Sequence, residues 1–366
     1  MTDEKRKLSS IQIKNLYYML AYAFQVLQKG DYADIEAEEF DFVEDLLAAI
    51  LAKGIANQIK KGLGREYLPK SESLSTLRGK IELSASFRQQ SLLKKQLVCE
   101  YDDFSMNSYL NQVLKTTSLF LIRSPLVHSY RKKDLKKILP FFNDVDTLDL
   151  RHFRWSNIKY NRNNATYKML INICYFVFKR MLQTEESGSH KISHFNIIQN
   201  MPQLYERFIL EYYRKHYPEF NVSAGYINWN VDDGFSSFLP QMKSDIMIEH
   251  CGKILIIDAK YYEKSMQRNP LFDSTKLHSN NLYQIFTYVK NKDVSGLGNV
   301  SGMLLYAKTD EEIFPDFDYM MSGNRISAKT LDLNSDFAEI CFKLDTLIEK
   351  WQFEVSNVVE TDLSQK

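Results

Sequence analysis

Apolar residues recur at helical spacing in two stretches near the start of the chain. Residues 11–28 set Ile13, Leu16, Tyr17, Leu20, Ala21, Phe24 and Leu27 on one stripe, and residues 42–61 do so with Phe42, Leu46, Ile50, Leu51, Ile55 and Ile59. Each pattern predicts an amphipathic helix. The second opens among Asp41, Glu44 and Asp45 and closes on Lys60-Lys61-Gly62. Those charges complement the helix dipole, and the glycine is a stop signal. Residues 63–105 lose the helical period and carry turn signals, so short strands or an extended protrusion are expected. Helical spacing returns at 107–123, 130–139 and 164–183, and Thr184-Glu185-Glu186-Ser187-Gly188-Ser189-His190 is the best linker candidate.

Beyond residue 200 the order reads helix, strand, strand hairpin, strand, helix, strand (Gly302 to Tyr306) and a C-terminal helix over 335–352. The first of these helices carries Pro202 in its opening turn, ahead of Glu206. The predicted fold class is therefore mixed α/β. A helix-rich N-terminal domain with short strands spans 1–190, and an αβ domain spans 191–366.

The densest chemistry lies in the second half. Ile254 to Ile257 form a continuous β-branched run, as in a strand buried on both faces, and Asp258 and Lys260 follow it. Alternation sets Asp258 and Lys260 on one face and Ala259 on the other. Asp245 opens a second apolar strand, and His250-Cys251-Gly252-Lys253 reads as the turn between the two. A hairpin would thus bring Asp245 beside Asp258. Taken alone, an Asp-x-Lys at a strand end reads as a surface ion pair. Two acids and a lysine together fit phosphodiester cleavage, in which carboxylate-held magnesium supplies the water and the charge relief. Lys260 would then orient or deprotonate the water, or steady the phosphate charge.

Composition narrows this picture. The 366 residues are 44% hydrophobic and 25% charged with a net charge of +1, which excludes a strongly basic protein with DNA affinity spread over its surface. Positive charge is either concentrated locally or borrowed from a partner. Cys99, Cys174, Cys251 and Cys341 are too widely spaced for a zinc pattern and suggest reduced, mostly buried thiols. With no signal pattern and no apolar run of membrane length, a cytoplasmic protein without membrane contact is expected. Arg131-Lys132-Lys133 with Lys136-Lys137 reads as a solvated helix face or a phosphate-tracking patch. Arg151-His152-Phe153-Arg154-Trp155 reads as core packing or a single-strand contact. His278 reads as a helix-start residue or a phosphate contact, and Tyr261-Tyr262 either straddle their strand or are both buried. No G-x-x-x-x-G-K-[ST] loop occurs, so nucleotide hydrolysis belongs elsewhere.

At Asp245, Asp258-Ala259-Lys260 and Gln284-x-x-x-Tyr288 the chain resembles the PD-(D/E)xK nuclease superfamily. It is similar over nearly its whole length to the McrC family, the nuclease subunits of McrBC modified-cytosine restriction systems. The likeness also includes Asn15-Leu16-Tyr17-Tyr18, Arg78-Gly79-Lys80-Ile81-Glu82, Tyr101-Asp102-Asp103-Phe104, Asn111-Gln112-Val113-Leu114-Lys115 and His278 through Gln284. The resemblance implies a restriction-endonuclease-like αβ core over 191–366 and a type IV restriction-like DNA endonuclease activity. It also implies Mg2+ on Asp245 and Asp258, a catalytic Lys260, Gln284 at the metal site or a phosphate, a supporting Tyr288, and a first-helix acid, Glu206. Pro240 stands five positions before Asp245, so the family's Pro-Asp pair is not literal here. The resemblance further implies an McrB-like AAA+ GTPase hexamer as partner, which itself uses GTP and is docked through residues 1–190. Double-stranded DNA with modified cytosine would be the substrate. Two rival readings use the same residues: a stand-alone repair or recombination nuclease, and a non-cleaving adaptor that activates a GTPase ring.

Overall fold

The computed structural model describes residues 7–8, 11–24, 32, 35, 38–160, 164, 166–186, 201–262, 266–269, 274–308 and 314–363. The chain divides into two units, Phe42–Ser189 and a second made of Met1–Asp41 with His190–Lys366. Residues 187–190 of the expected linker lie outside the described residues.

Phe42–Ser189 begins with the helix Val43–Lys61, whose first turn holds Glu44 and Asp45, whose last turn holds Lys60 and Lys61, and which stops at Gly62 with φ 87°. It packs with Tyr109–Arg123, Ser129–Ile138 and Tyr167–Glu186 around fully buried Leu46, Leu47, Ile50, Val113, Leu114 and Leu135. Asn111 ties this bundle together. Its Nδ2 donates to the Gly64 and Met106 carbonyls, both at 2.8 Å, and its Oδ1 accepts from Tyr167 Oη at 3.0 Å. The aperiodic stretch forms a three-stranded antiparallel sheet, with Leu97–Ser105 between Glu66–Leu74 and Lys80–Ile81. It also contains a short helix, Leu83–Arg88, which the pattern did not predict.

The basic cluster lies on Ser129–Ile138, whose Leu135 and Ile138 are buried and whose Lys137 pairs with Asp134 at 2.9 Å. Lys133, Lys136 and Lys137 are exposed on it, while Arg131 and Lys132 are half-buried. Phe153 and Trp155 pack edge to face at 5.5 Å, and Trp155 meets Tyr175 at 4.8 Å, in keeping with packing.

The second unit is built on a six-stranded mixed sheet. Its order is Phe317–Met321, Asn324–Leu331, Val300–Ala307, Lys253–Lys260, Ile246–His250, Asn221–Ser223. Lys253–Lys260 and Val300–Ala307 are parallel, as are Val300–Ala307 and Asn324–Leu331; the other pairs are antiparallel. Parallel neighbours need a crossover, and the helix Ser279–Lys292 supplies it between the first two. Ile285 and Val289 of that helix pack on Ile256, Leu304, Ile326 and Ala328. Gly302 allows this close approach, because a Cβ there would stand 2.8 Å from both Ile285 Cγ1 and Val289 Cγ2. The turn at His250 to Lys253 forms as expected, with Cys251 at φ 48° and Gly252 at φ 76°.

Three expectations are corrected. The helix Ile13–Phe24, expected within an N-terminal domain of 1–190, belongs with the C-terminal half. Asn15 donates to the carbonyls of Leu333 and Ser335 at 2.8 Å, and Tyr22 packs edge to face on Phe208 at 5.6 Å. The apolar stripe found its partner some 190 residues away in sequence, on Met201–His216. Secondly, the hairpin Phe317–Met321 with Asn324–Leu331 was not predicted, although Ser322 and Gly323 make the positive-φ turn that two-residue hairpins need. Thirdly, the thiols expected to be mostly buried are so only in part: Cys99 and Cys174 are buried, Cys341 is half-buried and Cys251 is exposed. No helix among the described residues is long and apolar enough to cross a membrane.

Candidate active site

Asp258 lies near the end of a strand flanked on both sides, and its side chain is almost wholly buried. Two positions on, Lys260 turns to the same face and its Nζ lies 2.6 Å from Asp258 Oδ2. Asp245 immediately precedes the neighbouring strand, and its Oδ2 accepts from the Ala259 amide at 2.9 Å. That bond ties Asp245 to the strand that carries Asp258.

The crossover helix delivers the next layer. Lys260 Nζ donates to Gln284 Oε1 at 3.0 Å, and Gln284 Nε2 donates to Tyr288 Oη at 3.0 Å. Positions 284 and 288 are one helical turn apart, so they share a face. Gln284 thus grips the lysine. Glu206, half-buried on Met201–His216, feels the fields of Asp245, Asp258 and Lys260. The structure therefore gathers all six residues singled out in the sequence: Asp245, Asp258, Lys260, Gln284, Tyr288 and Glu206.

Burial and neighbouring charge set the protonation of Glu206, Asp258 and Lys260. Burial, then the charge of Asp245, push Glu206 up to about 7, against the opposing pull of Lys260. Burial also raises Asp258, with Lys260 opposing and Asp245 reinforcing. For Lys260, burial disfavours the ammonium, but the charge and hydrogen bond of Asp258 outweigh it and the net shift is upward. A lysine held in its charged form is suited to steadying negative charge and unsuited to removing a proton.

A neighbouring network was not anticipated. Tyr262 Oη donates to Asn281 Oδ1 at 3.2 Å, and Asn281 Nδ2 donates to the buried Tyr306 Oη at 3.1 Å. Tyr261 is buried and Tyr262 is 39% exposed, so the pair straddles the strand end. The signal was available in Asn280-Asn281 at a helix start, where a polar side chain can tie two elements. His278 stands at the N-cap position of that helix, as a helix-start residue should.

The chain matches the family described as "McrBC 5-methylcytosine restriction system component" over residues 3–307. It is 28% identical over 331 residues to the type IV methyl-directed restriction enzyme EcoKMcrBC of Escherichia coli (strain K12), covering 89% of this chain and 94% of that protein. Among solved structures, it is similar to a half-complex from the tetradecameric assembly of Thermococcus gammatolerans McrB AAA+ hexamers with bound McrC. That likeness has a TM-score of 0.49 and 16% identity, over 92% of this chain and 76% of that one. A cryo-EM structure of the Thermococcus gammatolerans McrBC complex gives a TM-score of 0.41 and 18% identity, over 55% and 57% of the two chains. By a match that runs through both of its units, the chain belongs to the family of McrBC 5-methylcytosine restriction system components.

Proposed function

We propose that the chain is the Mg2+-dependent DNA endonuclease subunit of a GTP-dependent restriction complex specific for modified cytosine. The observation that carries this reading is Asp245 tied to the strand of Asp258, with the Lys260 ammonium held between Asp258 and Gln284. On this reading the six-stranded unit is a PD-(D/E)xK restriction-endonuclease-like core.

The donor set suits magnesium. Asp258 Oδ2 is buried with the Lys260 ammonium beside it and no well-directed hydrogen bond. Among the described residues no three histidine, cysteine or acidic side chains are grouped to hold an ion by themselves. Two carboxylates suit an ion that leaves its other positions to water and substrate phosphate. Asp245 and Asp258 would hold it. When bound, Mg2+ would supply an acidified water and charge relief on the phosphate. Lys260, kept protonated by Asp258, sets its charge beside the phosphate, and Gln284 with Tyr288 fixes its direction. Glu206 titrates near neutrality and takes the proton of the attacking water.

The partner on this reading is an McrB-like AAA+ GTPase hexamer that binds GTP itself and delivers double-stranded DNA, with residues 42–189 docking on it. Support comes from the missing phosphate-binding loop and the net charge of +1. A third support is the exposure of Tyr67, Leu83, Phe87, Leu93 and Phe104 on the sheet and short helices of that unit.

Asp258→Asn tests the assignment. With the partner, GTP and methylated DNA, cleavage should be lost while GTPase stimulation is kept. Cleavage by the unchanged chain alone without GTP would favour the stand-alone nuclease, and stimulation without any cleavage would favour the adaptor.

A further inference from the structure

We propose that Lys243, held over the ring of Tyr226, binds a backbone phosphate of the DNA next to the one that is cut; this rests on the nuclease reading above. The short ribbon Tyr226–Ile227 with Met242–Lys243 leads directly into Asp245, and Tyr226 stands opposite Lys243 in its register. Burial alternates along the approach: Met242 and Ser244 are buried, Lys243 is exposed and Asp245 is half-buried. The Ser244 amide donates to the Gly225 carbonyl at 2.9 Å and its hydroxyl donates there at 3.1 Å. Ser244 is thereby fixed inward, and Lys243, just before it, is left exposed on the approach to Asp245.

The two lysines of the site differ in what already engages them. Lys260 has only 14% of its side chain exposed and is neutralised by Asp258. Lys243 is exposed, no carboxylate among the described residues pairs with it, and its ammonium rests 5.9 Å from the Tyr226 ring centre. The Tyr226 ring is 60% exposed. It keeps the cation in place without cancelling its charge. Lys243 is also close enough to Glu206 to bias its ionisation. The carboxylates of Asp245 and Asp258 would repel a polyanion, and the chain as a whole carries only +1. An uncancelled cation on the outer side of the acids answers that local need, and its ligand is a phosphate diester oxygen.

The test uses the full-length chain and a fluorescent duplex in Ca2+, which leaves the strands uncut, with binding followed by anisotropy from low to moderate salt. Lys243→Ala should weaken binding about fivefold and lower the slope of log K against log salt by about one, for every duplex sequence. Lys243→Arg should restore both, and Tyr226→Leu should give a smaller loss at an unchanged melting temperature. An unaltered affinity and salt slope in Lys243→Glu would overturn the proposal, as would absence of binding by the unchanged chain at low salt. Asp258→Asn is the control: if it still cuts with the partner, the nuclease reading fails and takes this assignment with it. Loss of cutting in Asp258→Asn beside unaltered binding in Lys243→Glu overturns the Lys243 contact alone.

Discussion

Gln284 Oε1 accepts a hydrogen bond from Lys260 Nζ at 3.0 Å, so the crossover helix fixes the cation that the strand carries. Lys260 already has Asp258 at 2.6 Å, and two contacts hold a flexible side chain in one direction. Gln284→Leu should leave the fold intact and lower kcat by about 10- to 100-fold, as loss of a supporting contact does at metal sites. Tyr288→Phe removes only the acceptor that holds the Gln284 amide, and should cost about fivefold. Single-turnover cleavage of methylated duplex with the partner present measures both. An unchanged rate in Gln284→Leu would mean that the bond to Lys260 does not support cleavage.

Cleavage should rise with pH through neutrality. Glu206 sits at about 7 through burial and then Asp245, and Asp258 is raised through burial. Both must be ionised in the working site, so the rate should climb by up to about a hundredfold per pH unit well below 7 and level off above it. Glu206→Gln should reduce the slope to about tenfold per pH unit, the part left to Asp258, along with lowering the rate. A profile that is flat from pH 6 to 8 in the unchanged protein would remove Glu206 from the proton path.

Stability of the metal-free chain should run the other way. The folded state raises Glu206 from its ordinary 4.5 to about 7. Between those values it binds more protons than the unfolded chain, so stability falls as pH rises across the window and levels above it. Mg2+ needs ionised carboxylates, so the rise in melting temperature on adding it should be larger at pH 8 than at pH 6. Asp258→Asn should abolish most of that rise, and removal of the metal by a chelator should reverse it in the unchanged protein.

Gly302 tests the close packing beneath the site. A side chain there meets Ile285 and Val289 of the helix that carries Gln284. Gly302→Val should cost about 1–3 kcal/mol by overpacking. It should also lower cleavage, because lifting the helix withdraws Gln284 from Lys260. A melting temperature and a rate both unchanged would show that the helix can shift without consequence.

Asn111 should matter to stability alone. Asn111→Ala leaves the carbonyls of Gly64 and Met106 and the hydroxyl of Tyr167 short of a partner. The expected loss is about 2 kcal/mol or more, read as a lower urea midpoint. Metal-dependent stabilisation at the proposed site should persist, since Asn111 lies in the other unit.

Some of the site was legible because it depends on local periodicity. Asp258 and Lys260 share a face by the two-residue repeat of a strand, and Gln284 and Tyr288 by the turn of a helix. The turn at Cys251-Gly252 announced the hairpin that brings Asp245 across. The bond from Gln284 to Lys260 was not legible, because it spans two elements whose separation depends on how closely the helix settles over Gly302. The Ser322-Gly323 hairpin was written in the sequence but passed over, since its outer strand is exposed and shows no apolar alternation.

The sequence by itself determined the element types, the chemistry of the acids and lysine, and the family, all of which follow from near neighbours along the chain. Only the tertiary structure decided which faces met. It joined Ile13–Phe24 to the C-terminal half, because an amphipathic stripe records that it must be buried and not against what. It also decided the protonation of the site. The weakened acidities of Glu206 and Asp258 arise from burial and from charges that only folding brings together.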